Sequence, residues 1–156
     1  MTNKRKIALI IFLVLTIIWM GLVFYLSAEN ADASSKTSQA FLDQLIAMFN
    51  IKTRASLEGT IRTWAHFVLY LSGGLVSSGF FMFWLLEHKR KFLYCSAFGV
   101  LYAVSDEIHQ IFVPGRAFEV KDIVVDCAGF LLGVMVVGVM RRVATRNARC
   151  DRSGPR

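Results

Sequence analysis

The longest apolar segment of the chain, IALIIFLVLTIIWMGLVFYL at residues 7–26, limits what the protein can fold into. As a helix, a segment of this length measures about 30 Å, the thickness of the hydrocarbon core of a bilayer. Basic residues at 4–6 precede it and an Ala-Asp-Ala sequence at 31–33 follows, so a cleaved signal peptide is the alternative. The apolar core of a signal peptide usually has only about 7–15 residues. The segment is therefore predicted to be an uncleaved transmembrane helix.

Three further segments have the length of a spanning helix. Residues 64–86 are largely apolar, with Ser and Gly clusters that permit close packing of helices in a membrane. Residues 92–104 make only about 20 Å of helix, but continuation through a polar stretch to Val113 reaches spanning length. The fourth segment covers residues 123–140, and a content of 55% hydrophobic residues exceeds what a soluble domain of this size can bury. We predict an all-α integral membrane four-helix bundle that forms a single domain over residues 1–156.

Lysine and arginine clusters assign the two sides of the membrane. They lie at residues 4–6, at 89–91 and in the basic tail 141–156. Because cytoplasmic segments carry the excess of Lys and Arg, both termini are predicted to be cytoplasmic. The connections at 27–62 and 114–121 then lie outside, and the first contains a predicted interfacial helix at 38–50. Since the charge of +7 is divided among these clusters, nucleic acid is not predicted as a partner.

Polar and ionisable residues of three predicted helices fall at one depth, near the outer end. On the second helix they recur every four residues and so share a face, and on the fourth they stand one turn apart. Charged groups within a membrane are costly unless they face protein, water or each other, so this placement predicts a shared polar pocket. The candidate residues are Arg62, His66, Tyr70, Asp106, Glu107, His109, Gln110, Asp122 and Asp126, with Arg116 in the following loop.

Two local motifs would draw these polar groups together. Gly129 and Gly133 form a GxxxG pair on the Asp126 side of the fourth helix, which predicts close packing against another helix. Pro114-Gly115 predicts the turn that ends the third helix.

Three motifs at these positions resemble the signature of VanZ-like membrane proteins. They are R-x3-H-F-x2-Y at 62–70, S-D-E-x-H-Q-x-F-x-P-G-R at 105–116 and D-x3-D-x2-G-x3-G at 122–133. The resemblance covers most of the chain and implies a multi-pass protein of the bacterial plasma membrane. Because the founding member is associated with teicoplanin resistance, it also implies an influence on cell-envelope or glycopeptide susceptibility. It implies no particular reaction, and relatives often carry Asn in place of Asp126.

The two arginines are the predicted contacts for an anionic ligand. A guanidinium group pairs phosphate oxygens in a fork, so Arg62 and Arg116 would hold a phosphate or pyrophosphate. The predicted partner is therefore a membrane lipid or a lipid-linked cell-wall intermediate in the outer leaflet.

A second set of residues is predicted to move a proton or to order the site. Asp106 and His109 are the candidate acid–base pair, because a desolvated carboxylate beside a histidine has a tunable proton affinity. Asp122 joins them from the fourth helix, whereas Glu107 is rotated about 100° from Asp106 on the helix. The remaining binding candidates are His66, Tyr70, Glu107, Gln110 and Asp126.

Other interpretations of the same residues stay open. Imidazole and carboxylate groups suit zinc or manganese, but there is no HExxH motif and the three cysteines form no ligand set. No metal and no cofactor is therefore predicted. A proton-coupled transporter of this size would require several chains, and a homo-oligomer is left open. The main alternative to a ligand-binding site or enzyme is a non-catalytic scaffold, in which the polar layer only specifies helix packing.

Overall fold

Four helices make up the part of the chain that the computed structural model describes, residues 2–28, 55–84 and 88–152. In chain order they are α1 (Asn3–Ser27), α2 (Ala55–Trp84), α3 (His88–Gln110) and α4 (Val120–Arg152). No strand occurs in these residues, so the all-α, four-helix prediction is confirmed. The predicted interfacial helix at 38–50 lies outside the described residues.

Three of the described helices are long and apolar enough to cross a membrane, over Asn3–Ser27, Thr60–Trp84 and Val120–Asn147. The remaining helix, α3, has 23 residues, which is also long enough to span, but its polar C-terminal end makes it less apolar. We call this end of the bundle the outer end, because it is the end predicted to face outside. It packs against α1, α2 and α4, so protein rather than lipid covers Asp106, Glu107 and Gln110. By contrast, α1 exposes large apolar side chains such as Ile17 and Ile18, which suit contact with lipid.

The outer end of α3 differs from the prediction. The helix ends at Gln110, whereas the third span was predicted to continue to Val113. The next three N–H groups bond carbonyls three residues earlier, and Pro114 disfavours the α conformation at Val113, which explains the early end. The N–H of Arg116 then donates to the Val113 carbonyl at 3.1 Å. Gly115 adopts a φ of 77° in this turn, a left-handed conformation that favours glycine.

Glycines bring the backbones of α2 and α4 together. These two helices form the most extensive helix contact of the described chain. A methyl group added to Gly129 or Gly133 would collide with the carbonyl oxygen of Phe67 or Leu71 on α2. On the other side of the contact, a methyl group on Gly74 would collide with the backbone of α4. The packing role predicted for the GxxxG pair is confirmed.

An aromatic cluster around Trp19 joins α1 to this pair of helices. The Trp19 ring lies against Tyr70, Tyr102 and Phe130, with centroid distances of 5.6, 5.0 and 5.8 Å. All four side chains are buried. The indole Nε1 donates to the backbone carbonyl of Leu69 at 2.9 Å, so the polar edge of the ring is satisfied without water.

Basic side chains collect at the other end of the bundle. Arg5 donates to the carbonyl of Phe83 at 3.2 and 2.9 Å, and Lys91 Nζ donates to the carbonyl of Met82 at 2.9 Å. These carbonyls belong to the last turn of α2, where the helix has no N–H group left to donate to them. The negative end of the helix dipole also favours a cation there. Arg141 of α4 lies near Lys91. The basic segments therefore share one end of the bundle, as the predicted topology requires; that this end is cytoplasmic stays a prediction.

Single cysteines in a cysteine-free background test the sidedness. A cysteine at Glu119, an exposed position just before α4, should react with a membrane-impermeant maleimide in intact cells. A cysteine at Ser34, outside the described residues, should behave in the same way. A cysteine at Arg146, near the basic end, should react only after permeabilisation. Labelling of Glu119→Cys only after permeabilisation would overturn the predicted topology.

Gly133→Ala should destabilise the bundle, because the new methyl group would collide with the Leu71 carbonyl. Overpacking of this kind lowers the free energy of unfolding by about 1–3 kcal/mol. The matched control is Gly21→Ala, since a methyl group there meets no atom within 4 Å and alanine favours a helix. Thermal unfolding in detergent should give a lower midpoint only for Gly133→Ala. Equal midpoints would contradict the close approach of α2 and α4.

Candidate functional site

Two side chains of α2 meet Asp122 and Asp126 of α4, which stand one helical turn apart. Arg62 Nη2 lies 3.7 Å from Asp122 Oδ2, and His66 Nδ1 lies 3.2 Å from Asp126 Oδ1. Arg62 and His66 are four residues apart on α2, as are Asp122 and Asp126 on α4. The two contacts therefore lie one above the other along the interface between α2 and α4. Asp122 also stands in the first turn of α4, where the helix dipole favours a negative charge.

Asp106 of α3 joins the same site through Tyr70, which lies one turn after His66 on α2. The hydroxyl of Tyr70 donates to Asp106 Oδ2 at 3.1 Å, and the hydroxyl of Ser27 on α1 also lies within hydrogen-bonding reach of this carboxylate. Neither Tyr70 nor Asp106 has any solvent exposure. All four helices therefore contribute side chains to one polar site.

His66, Asp106 and Asp126 form a compact cluster within this site. One donor atom from each lies within 4.8 Å of the other two, and among the described residues this is the group that could hold a metal ion. If both carboxylates were ionised, they would repel by about 3.5 kcal/mol or more at an effective dielectric constant of about 20. Asp106 Oδ1 accepts no hydrogen bond from a described residue, which is costly for a buried acceptor. The cluster therefore favours an added proton or cation.

Arg116 brings a second guanidinium group to the outer end of the site. Its Nη1 donates to Gln110 Oε1 at a long 3.5 Å. Burial, and then the nearby charge of Arg62, lower the pKa of Arg116 from its ordinary value. An arginine still keeps its charge at physiological pH. The charges of Arg62 and Arg116 therefore act on each other at this end of the site, where the Arg62 side chain is 35% exposed.

Glu107 fixes the loop that carries Arg116. Its Oε1 accepts the backbone N–H of Glu119 at 2.7 Å, immediately before α4 begins. This contact agrees with the rotation of Glu107 away from Asp106 on the helix. Gln110 is also fully buried, and its Nε2 has no hydrogen-bond partner among the described residues. Both side chains therefore line the outer loop rather than the cluster around His66.

The VanZ/LLP1 family model matches residues 12–141 of the chain. The protein belongs to the VanZ/LLP1 family. No curated protein and no solved structure matches it. The matched range includes every contact of the site described above, so the polar cluster lies within the family segment. The resemblance indicated by the motifs at 62–70, 105–116 and 122–133 is confirmed.

No hydrogen bond joins Asp106 to His109, the predicted acid–base pair, although His109 is close enough to act electrostatically on the carboxylate, so this pairing stays a prediction. The His109 ring instead packs against Phe24 of α1, with centroids 4.8 Å apart. Its Nδ1 has no hydrogen-bond partner among the described residues. The two residues share a side of α3, but Asp106 faces Tyr70 and the centre of the bundle. Of the two histidines whose side chains the structure describes, His66 is the one that contacts a carboxylate of this VanZ-family protein.

Sequence reasoning missed the contribution of α1. Ser27 reaches Asp106, and Phe24 covers His109. The buried residues of α1 are Thr16, Trp19, Val23 and Ser27, which form one stripe along the helix. A polar or aromatic side chain at helical spacing within a uniformly apolar run is the signal that could have identified this face.

Tyr70→Phe should lower the stability of the purified protein by about 1–3 kcal/mol, because it removes one hydrogen-bond donor from the buried Asp106 carboxylate. Tyr25→Phe removes the same hydroxyl from a side chain that is 70% exposed, and serves as the control. Thermal unfolding in detergent should show a lower midpoint for the first variant only. If the two midpoints coincide, the bond between Tyr70 and Asp106 does not stabilise the bundle.

Proposed function

We propose that this VanZ-family membrane protein binds an anionic headgroup at the outer leaflet of the bacterial plasma membrane. The headgroup belongs to a membrane lipid or to a lipid-linked cell-wall intermediate. Through this binding the protein alters cell-envelope properties and susceptibility to glycopeptides of the teicoplanin type. The observation that carries the proposal is the proximity of two guanidinium groups, Arg62 and Arg116, at the end of a bundle of membrane helices.

The contacts of Arg62 support this assignment. Its distance of 3.7 Å to Asp122 is longer than a hydrogen bond, and its Nε has no hydrogen-bond partner among the described residues. The buried Nε is not open to a ligand, but the Arg62 side chain as a whole is 35% exposed and makes no hydrogen bond to Asp122, so it is accessible to an incoming anion while the charge of Asp122 holds it in place. Because a guanidinium group binds phosphate through two parallel N–H donors, a phosphate-bearing headgroup suits this position.

The acidic residues below the arginines would order the site and hold a proton. His66 is the group best placed to exchange a proton with a bound headgroup, since its side chain is 16% exposed and contacts Asp126. Asp106 and Tyr70 hold the deeper side of the site. In this proposal Asp122 positions Arg62, which is the ordering role predicted for that carboxylate.

Lipid binding to purified variants tests the proposal. Arg62→Gln and Arg116→Gln should each weaken binding of short-chain phosphatidylglycerol or of a polyprenyl phosphate by about tenfold or more, because each removes a charged hydrogen bond. Arg146→Gln removes the same charge from an exposed position near the other end of α4 and should bind as the unchanged protein does. Native mass spectrometry in detergent provides the measurement. Stronger binding of one probe identifies which headgroup source the site prefers.

Two results would contradict headgroup binding. One is equal affinity of all three arginine variants for both anionic probes. The other is equal binding of zwitterionic phosphatidylcholine, because the two guanidinium groups should then make no difference.

A non-catalytic scaffold is the second candidate function, and the polar contacts that join all four helices favour it. Asp106→Asn and His109→Gln keep side-chain size but remove charge or proton transfer. If the site is functional, both variants should accumulate normally in the membrane while any effect on teicoplanin susceptibility disappears. If both variants are instead lost from the membrane, the scaffold explanation holds. Quantitative immunoblotting of membranes beside susceptibility assays measures both outcomes.

A further inference from the structure

We propose that His66, Asp106 and Asp126 bind one divalent metal ion of the zinc or manganese type at the base of the polar site. The three ligands come from α2, α3 and α4, and the ion would link these helices. This inference goes beyond headgroup binding and does not depend on it.

The donor geometry is close to that of a bound ion. Around a tetrahedral zinc with bonds of about 2.1 Å, donor atoms lie about 3.4 Å apart. His66 Nδ1 and Asp126 Oδ1 are already separated by 3.2 Å, and all three donors lie within 4.8 Å of one another. Small rotations of the side chains would therefore close the site. One imidazole and two carboxylates form a ligand set that suits zinc or manganese.

The Asp106 carboxylate gives a second, independent indication of a ligand. The side chain is fully buried, Tyr70 occupies its Oδ2, and its Oδ1 has no hydrogen-bond partner among the described residues. Buried polar atoms are rarely left unsatisfied in folded proteins. A cation beside Oδ1 would satisfy this oxygen and would also neutralise the two neighbouring carboxylates. Arg62 does not supply the positive charge that Asp106 Oδ1 needs, because the described ion pair of this guanidinium group is with Asp122.

Tyr70 would support the ion from outside its ligand shell. Its hydroxyl orients the Asp106 carboxylate, as outer hydrogen bonds commonly orient metal ligands. Three protein ligands leave a fourth coordination position open. Where the proposed headgroup binding also holds, an oxygen of the headgroup phosphate could take that position, because Arg62 and the partly exposed His66 lie at the outer side of the cluster.

Metal titration of the full-length protein tests the proposal. The protein is purified in detergent without a polyhistidine tag, treated with a chelator, and titrated with zinc chloride or manganese chloride. Elemental analysis after gel filtration should give one ion per chain, with micromolar or tighter affinity. Because an ion that binds only the folded state stabilises it, the thermal midpoint should rise with metal concentration.

Four variants separate the ligands from the surrounding hydrogen bonds. His66→Gln, Asp106→Asn and Asp126→Asn should each weaken binding by more than about a hundredfold, because loss of an outer-shell partner alone already costs about tenfold to a hundredfold. Tyr70→Phe retains all three ligands and should still bind one ion, with its lost stability partly recovered by zinc. The matched control is Glu119→Gln, the same carboxylate-to-amide change at an exposed position outside the cluster. If a ligand variant fails to fold, metal titration of the unchanged protein and of Tyr70→Phe still shows whether the site binds one ion.

Absence of saturable binding by the unchanged protein would overturn the metal site. Equal affinity of the three ligand variants and the control would overturn it as well. Headgroup binding is measured separately with Arg62→Gln, which keeps all three metal ligands. Intact zinc stoichiometry with normal lipid binding in that variant would contradict the headgroup proposal alone, whereas arginine-dependent lipid binding without zinc binding would contradict the metal proposal alone.

Discussion

The close approach of α2 and α4 is the contact on which the polar site depends. Gly129 and Gly133 have no side chain to separate the helices, so the α4 backbone lies directly against the carbonyls of Phe67 and Leu71. This spacing allows the short side chain of Asp126 to reach His66 across the interface. A larger residue at either glycine would move the two helices apart, and the short side chains of the site would lose contact first.

The membrane environment explains why α3 needs these neighbours. Its outer end carries Asp106 and Glu107 next to an apolar segment, and both carboxyl groups are buried. Exposure of these groups to lipid would be costly, so each must meet a donor inside the protein. Tyr70 supplies a donor for Asp106, and the backbone of Glu119 supplies one for Glu107. The one described helix that is not apolar enough to be a candidate span is therefore held by contacts with the other three.

The site has two chemically different layers. Arg62 and Arg116 form a cationic outer layer, and an imidazole with two carboxylates forms the layer beneath it. The outer layer suits an anion, whereas the inner layer suits a proton or a cation. An anionic ligand and a metal ion would therefore favour each other if both were bound, because each charge is matched by the group next to it.

The sequence by itself determined the helices and the helix faces that carry the polar residues, because apolar length and helical spacing are local properties of the chain. It predicted the four helices, the packing role of Gly129 and Gly133, and the shared face of Arg62, His66 and Tyr70. The tertiary structure alone decided which groups meet. It gave Asp106 a hydrogen bond from Tyr70 rather than from His109, packed the His109 ring against Phe24, and brought Ser27 of α1 to the carboxylate. Periodicity defines the face of one helix, but the neighbour of that face depends on how all the helices pack.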